Sequence, residues 1–318
     1  MHIHSRYCDG MQWPEEIVNR AKNFGLELIA LTDHDTVAGN LEFIKACKQK
    51  KIQGIAGVEI DCVAEFNVHT EMNTPKIYQS EILGYFPNQS YKNTEKLLND
   101  VLTHRKEKIK FYILRASEVF NNPDLTWDDF KNFHSDPSRK NLNFTYMKPH
   151  LFRYLIKRKV PQIQNMNYGS FKETYFDAES QDNLELGMRS LKSNKLTLKD
   201  VVATIRQDKG FAVIPHLALR FIPNDARKDP LRIYDELEQN KPTYKAFLEY
   251  CQKLKVWGIE MYYYQDWAHQ PDMIDYLNAY IKQLAKKRFC YTWGSDCHGA
   301  GSQTDTLGKF SGDFNGFI

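Results

Sequence analysis

Two histidines separated by a single isoleucine, His2 and His4, open the chain in the stretch MHIHSRYCDG. In an extended segment, residues i and i+2 face the same side. Both imidazoles therefore point together, as two ligands of one cation must. Similar residues recur where apolar runs end. His34 follows LELIALTD, Glu59 lies near the end of IQGIAGVEID, and His216 follows GFAVIP. Asp296 and His298, again two apart, follow RFCYTWGS. One histidine at a strand end is ordinarily a hydrogen-bonded core or surface residue. Two paired motifs with three further strand-end donors describe a metal site instead. Histidine with Asp and Glu, and no cysteine ligand, suits Zn, Mn or Fe. More than four donors exceed what one tetrahedral ion uses, so two or three divalent ions are expected.

Positioning donors that lie so far apart in sequence requires a repeating architecture. PEEIVNRAKNFG reads as a helix with Pro14 at its start and Gly25 at its stop. The apolar runs around residues 26–35 and 52–61 read as strands buried on both faces, with a helical pattern between them. The same beat returns late, in GFAVIPH, VWGIEMYYY, DMIDYLNAYIKQLAKK and RFCYTWGSDCHG. Repeated strand–helix units imply a parallel sheet or barrel, whose carboxyl strand ends converge on one face. Residues 91–200 break the rhythm with long charged helical segments and turn-rich connectors. The expected organisation is a barrel from 1–90 and 201–318, with 91–200 as a helical insertion capping the site.

The totals fit this reading. The 318 residues are 42% hydrophobic and 26% charged, enough for a large core that needs no disulfide to hold it. A net charge of +3 gives no argument for a polyanion-binding surface. There is no apolar run long enough to cross a membrane and no apolar signal core at the N-terminus. The six cysteines form no CxxC pair and read as reduced thiols, so a cytoplasmic setting is expected.

The donor stretches, in this order, resemble the polymerase and histidinol phosphatase (PHP) superfamily. The matching motifs are HIHSRYCDG, LIALTDHDTVAG, GVEI, ILGY, VIPH, GIEMYY and GSDCHG. The resemblance is closest to stand-alone phosphoesterases that carry a helical insertion. It implies a distorted (β/α)7 TIM-like barrel with a trinuclear metal site. Carried over motif by motif, it implies His2, His4, Asp9, His34, Glu59, His216, Asp296 and His298 as ligands. Three departures stand out. Only Met1 precedes His2, so the first strand is expected to be short. Glu81 stands before ILGY where the family has histidine. It either binds an ion, shifting preference toward Mn or Fe, or faces away, with His69 as a substitute. PHL replaces the family's HP after the strand that ends at His216.

The resemblance implies a metal-dependent phosphoric ester hydrolase in which a hydroxide shared between two ions attacks phosphorus in line. His34, Glu59 and Asp296 are the catalytic candidates. Asp33 and Asp35 are expected behind the ligand imidazoles, Asp35 equally as a helix N-cap. His150 and Arg153 in KPHLFRYLIKRK, Arg220 after His216, and His269 beyond the GIE strand are the substrate-binding candidates. Tyr262, Tyr263 and Tyr264 either stack a base or pack the barrel rim. A small phosphorylated substrate, a nucleotide or short oligonucleotide, is favoured by the aromatic and basic groups of the insertion. The alternatives are a phosphatase for another metabolite such as histidinol phosphate, or a non-catalytic metal-binding module. No obligate protein partner is evident.

Overall fold

The computed structural model describes residues 1–68, 75–136, 144–177, 181–188, 195–227, 229–267, 269–302 and 304–317. Six strands form one sheet in sequence order: β1 (Leu28–Leu31), β2 (Gln53–Phe66), β3 (Lys76–Phe86), β4 (Phe211–Ile214), β5 (Gly258–Tyr262) and β6 (Cys290–Gly294). The helices are α1 (Pro14–Asn23), α2 (Asn40–Lys50), α3 (Lys92–Val119), α4 (Trp127–His134), α5 (Lys148–Lys157), α6 (Tyr168–Lys172), α7 (Leu198–Gln207), α8 (Pro230–Gln239), α9 (Lys241–Lys253) and α10 (Pro271–Ala285). Local chemistry sets their starts. Glu16 accepts from the Trp13 N–H at 2.7 Å ahead of Pro14, and the Thr197 hydroxyl accepts from the Asp200 N–H at 3.1 Å.

The sheet is mixed rather than parallel throughout. β1 pairs parallel with β2, and β4, β5 and β6 pair parallel, but β3 runs antiparallel to both its neighbours. The link from Phe66 to Lys76 is too short for a crossover helix, which needs a dozen or more residues, and β3 accordingly pairs antiparallel with β2. β2 and β3 consequently extend past their neighbours as a long ribbon, pairing from Ala56↔Phe86 to Phe66↔Lys76. Glu59 therefore lies midway along β2 and not at its end. It still stands at the level where β1 stops, because His34 bridges to it.

The expected first strand is reduced to one parallel bridge, Ile3↔Cys297. This short segment joins the two ends of the sheet. The Thr32 N–H, just past β1, donates to the Ile3 carbonyl at 2.9 Å. The His4 N–H donates to the carbonyl of Cys297, just past β6, at 2.8 Å. One peptide segment touching both outer strands requires the sheet to curl. The fold is thus mixed α/β, with a curled six-stranded sheet and helices outside it.

Two cores form. The larger takes the sheet's apolar residues, such as Ile60, Ile82 and Met261, with α1, α2 and α7–α10 and the start of α3 at Leu98. The second lies among α3–α6 and gathers Tyr112, Phe130, Leu151, Tyr154, Phe171 and Phe176. The helical layer reaches the sheet end through the Thr145 N–H, which donates to the Tyr7 carbonyl, and through Arg153, which donates to the Asp9 carbonyl, both at 2.9 Å. Among the described residues no helix is long and apolar enough to cross a membrane.

Candidate metal centre

Close packing of the backbone builds the first part of the site. Residues 5–10 turn back on themselves so tightly that a Cβ on Gly10 would lie 2.5 Å from the His4 carbonyl oxygen. On β6, a Cβ on Gly294 would lie 1.8 Å from Glu260 Oε1 and 2.7 Å from His2 Cβ. Glycine at both positions lets His2 and His4 sink to zero exposure.

Buried partners then orient the rings. His2 Nδ1 lies 3.0 Å from Glu260 Oε1, which turns Nε2 toward Glu59 Oε2 at 3.1 Å. His4 Nδ1 lies 3.4 Å from the Cys8 thiol, which itself donates to Asp33 Oδ1 at 3.0 Å. Burial, with Asp33 and Asp9 nearby, pushes the Cys8 thiol well up, so it stays a neutral donor. Asp33 also accepts from the Ser5 N–H at 2.6 Å and the Ser5 hydroxyl at 2.7 Å. His298 Nδ1 faces the Asp296 carbonyl at 3.0 Å, so Nε2 faces Asp9 Oδ1 at 3.3 Å. In each case the outer nitrogen is satisfied and the inner one faces the cluster, the usual arrangement behind a ligating imidazole.

Glu59 is the hub. Its Oε2 lies 3.3 Å from both His4 Nε2 and His34 Nδ1, and its Oε1 lies 3.3 Å from His216 Nε2. Asp296 Oδ1 is 2.9 Å from His4 Nε2 and 3.5 Å from His2 Nε2. Asp9 Oδ1 is 4.0 Å from His34 Nε2, and Glu81 Oε2 is 3.2 Å from His216 Nε2. The structure thus brings all nine expected ligand side chains together. They fall into overlapping groups of suitable donors: His4, Asp9, His34 and His298; His2, His4, Glu59 and Asp296; and Glu59, Glu81 and His216. His69 lies outside the described residues.

The donor set fits divalent ions. His4 Nε2, Asp9 Oδ1, His34 Nδ1 and Asp296 Oδ1 are buried with no hydrogen-bond partner. A buried polar atom without a partner is costly, and here four share one cluster. Donors on a tetrahedral ion with bonds of about 2.1 Å stand roughly 3.4 Å apart, the spacing seen here. The charges agree. Burial alone would lower His2, but Glu59, Glu260 and Asp296 hold it well above the ordinary imidazole value. His34 is raised to about 8 by Glu59 and Asp9 against the same burial. Burial opposes ionisation of Glu59 and Asp9, yet the facing imidazoles hold both well below the carboxylate range. Three residues of this rim, Asp35, His216 and Asp296, take left-handed backbone with φ of 50°, 32° and 50°, a strain that concentrates at functional sites.

The substrate candidates are placed differently from one another. Arg220 lines a cavity of about 600 Å³ with Asp61, Glu81, His216, Arg227, Tyr262 and Asp296. Its Nη1 donates to Ser80 Oγ at 2.7 Å, while its buried Nε has no partner. Tyr262 stands edge-on to His216 at 5.5 Å, Tyr263 packs on Phe310 at 6.0 Å, and the Tyr264 hydroxyl accepts from the Ala218 N–H at 3.1 Å. His150 is buried behind the loop of residues 5–10, its Nδ1 accepting from the Met147 N–H at 3.0 Å. Arg153 holds the same loop through the Asp9 carbonyl. His269 is exposed and not brought to the cavity lining.

Two further residues escape sequence reasoning. Glu260 sits in the apolar strand GIEMY, where a carboxylate between buried neighbours was the available signal. Arg105 pairs with Asp35 and Asp61, its Nε donating to Asp35 Oδ2 at 2.7 Å. Asp35 Oδ1 in turn accepts from the Asp61 N–H at 2.9 Å, which fixes the turn beside His34. In a helix rich in Lys and Arg, nothing distinguishes this arginine from its solvated neighbours.

Residues 1–177 match the PHP domain family. The chain belongs to that family. Curated relatives match over short segments. They include an error-prone DNA polymerase of Nocardia farcinica, 45% identical over 62 residues, 19% of this chain and 5% of that protein. A 5'-3' exoribonuclease of Haemophilus influenzae is 47% identical over 60 residues, 19% of this chain and 22% of the relative. A 3',5'-nucleoside bisphosphate phosphatase of Chromobacterium violaceum is 40% identical over 60 residues, 19% of this chain and 21% of the relative. The match therefore spans between 5% and 22% of these relatives' length. Among solved structures, a candidate metal-dependent phosphoesterase from Bifidobacterium adolescentis superposes with a TM-score of 0.61 at 19% identity, covering 95% of this chain and 88% of the other. An amidohydrolase from Chromobacterium violaceum with bound sulfate superposes with a TM-score of 0.60 at 19% identity, covering 94% and 87%. At that identity the likeness shows a shared fold over nearly the whole PHP chain.

Proposed function

We propose that this PHP protein is a metal-dependent phosphoesterase acting on nucleotides or short oligonucleotides. The observation that carries it is the convergence of five imidazoles and four carboxylates, with buried unpartnered donor atoms among them, beside a cavity that holds Arg220 and Arg227. Membership of the family supports hydrolysis of phosphate esters, and the Haemophilus and Chromobacterium relatives support the substrate class. The fold belongs to the same reading, as a distorted (β/α)7 barrel in which residues 1–4 take the place of the seventh strand. So do the division into a 1–90 and 201–318 barrel with a 91–200 helical cap, and a cytoplasmic setting, which the unpaired cysteines support.

In this reading His2, His4, Asp9, His34, Glu59, Glu81, His216, Asp296 and His298 hold two or three divalent ions of Mn, Fe or Zn. Bound ions would supply Lewis acidity and a water acidic enough, with pKa near about 7, to furnish a nucleophile at neutral pH. The protein's own groups set the geometry. Glu59 offers its two oxygens to different sides of the cluster. Glu260 fixes the His2 tautomer and also accepts from the His216 N–H at 3.0 Å, coupling two donors through one carboxylate. Asp296 spans His2 and His4. His34 stands at the partly open edge of the cluster, its Nδ1 3.3 Å from Glu59 Oε2 and its Nε2 4.0 Å from Asp9 Oδ1. Arg220 and Arg227 present guanidinium groups to the phosphate in the cavity. His150 and Arg153 brace the Asp9 loop from behind.

The test is a panel of phosphate esters offered to the protein reloaded with Mn²⁺. Release of phosphate from nucleotides or short oligonucleotides supports the proposal. Turnover of histidinol phosphate alone would replace the substrate class, and no turnover of any ester by ion-loaded protein would overturn the enzymatic reading.

A further inference from the structure

The donors are not evenly mixed. At one corner three imidazoles, from His4, His34 and His298, face the single carboxylate of Asp9. In the middle, His2 and His4 are balanced by Glu59 and Asp296. At the far corner only His216 accompanies Glu59 and Glu81. The register of the long ribbon sharpens this gradient. Asp61 lies directly across from Glu81, and Glu59 lies two residues back on the same face of β2. Like charges opposed across an antiparallel pair are unfavourable unless a positive charge intervenes. Arg105 takes up Asp61, and Arg220 donates to the Glu81 carbonyl at 3.4 Å and not to its carboxylate.

Exposure follows the same gradient. The His4, Asp9, His34 and His298 side chains are 0%, 9%, 12% and 15% exposed. Those of His216 and Glu81 are 24% and 36% exposed. The 600 Å³ cavity opens onto this second pair and is not lined by any of the first four. Imidazole-rich sets suit Zn and Fe, whereas carboxylate-rich sets suit Mg and Mn.

We propose that the Glu59–Glu81–His216 corner is a hard-cation subsite of the Mg²⁺/Mn²⁺ class, exchanging with solvent independently of the imidazole-rich corner. This rests on the cluster being a divalent-ion site. The direct test strips the full-length protein with a chelator, loads it with Zn²⁺, removes excess ion and mixes it with Mn²⁺. Released zinc is read with a chromophoric indicator, and bound manganese by its electron paramagnetic resonance signal. Two phases are expected, with the fast phase confined to part of the bound zinc. Glu81→His should remove the fast phase and weaken Mn²⁺ binding by at least about 10-fold, the smallest loss typical of even an outer partner of a ligand. Glu81→Gln should remove it without adding an imidazole. Exchange in one phase by the unaltered protein, or variants that exchange like it, would overturn the proposal. If zinc binds and exchanges in one phase, only this proposal fails. If the unaltered protein binds no zinc at all, the phosphoesterase reading fails with it. The two-phase exchange needs no variant, so a misfolded substitution leaves the test intact.

Discussion

The sheet end and the helical layer both bury histidines, and they treat them in opposite ways. His2, His4, His34, His216 and His298 face carboxylates, and all five are raised above the ordinary imidazole value despite burial. His134 and His150 lie against Phe130, Phe133 and Tyr146. Burial, reinforced by Arg153, lowers His134 to about 3 and His150 well below its usual value. The first group is arranged to hold positive charge, whether proton or cation. The second is arranged to stay neutral, with His150 accepting a backbone N–H at the start of α5. Residue type alone does not choose between these roles. The surrounding carboxylates do.

Substitutions on either side of this contrast should have distinct signatures. The largest effect is expected for Glu59→Gln, which removes the carboxylate charge that faces four imidazoles, those of His2, His4, His34 and His216. Turnover of the responsive ester should fall by orders of magnitude while circular dichroism stays unchanged, and near-normal turnover would contradict the hub role. On the helical side, Phe130→Ala removes a fully buried ring and should cost about 3–5 kcal/mol of stability. Denaturant unfolding measures that cost, and bound-ion content in the surviving folded protein should be unchanged. Next in size is Glu260→Gln, which frees the His2 tautomer. Ion affinity should drop about 10–100-fold, measured by competition with a chromophoric chelator.

The smallest effect separates the two regions by pH in metal-free protein. His34 is raised to about 8, so its contribution is fully present below its unfolded value of 6.5 and is lost as pH rises through about 8. His134 is lowered, so its contribution is present above 6.5 and is lost as pH falls toward about 3. Mild acid should therefore loosen the helical layer before the sheet. Fluorescence of Trp127, on α4, should report unfolding at a higher pH than Trp293, on β6. Simultaneous loss of both signals would erase the contrast.

Much of the candidate site was legible because donors such as His34, His216 and Asp296 follow apolar runs, and burial forces such runs into strands. His216 after GFAVIP and Asp296 after CYTWGS are examples. What was not legible depended on partners distant in sequence. The antiparallel course of β3 follows from a short connection, not from the residues within it. His150 reads like a surface helix residue until residues 5–10 pack against it. Glu260 and Arg105 acquire meaning only when His2 and Asp35 arrive beside them from elsewhere in the chain.

The most direct measurement is anomalous diffraction from crystals of the protein grown with Mn, Fe and Zn ions present, collected across the absorption edges of these metals. The account predicts two or three peaks among Glu59, Asp296, Asp9 and the five imidazoles. Well-ordered side chains there with no anomalous peak, in crystals grown with these ions present, would contradict it.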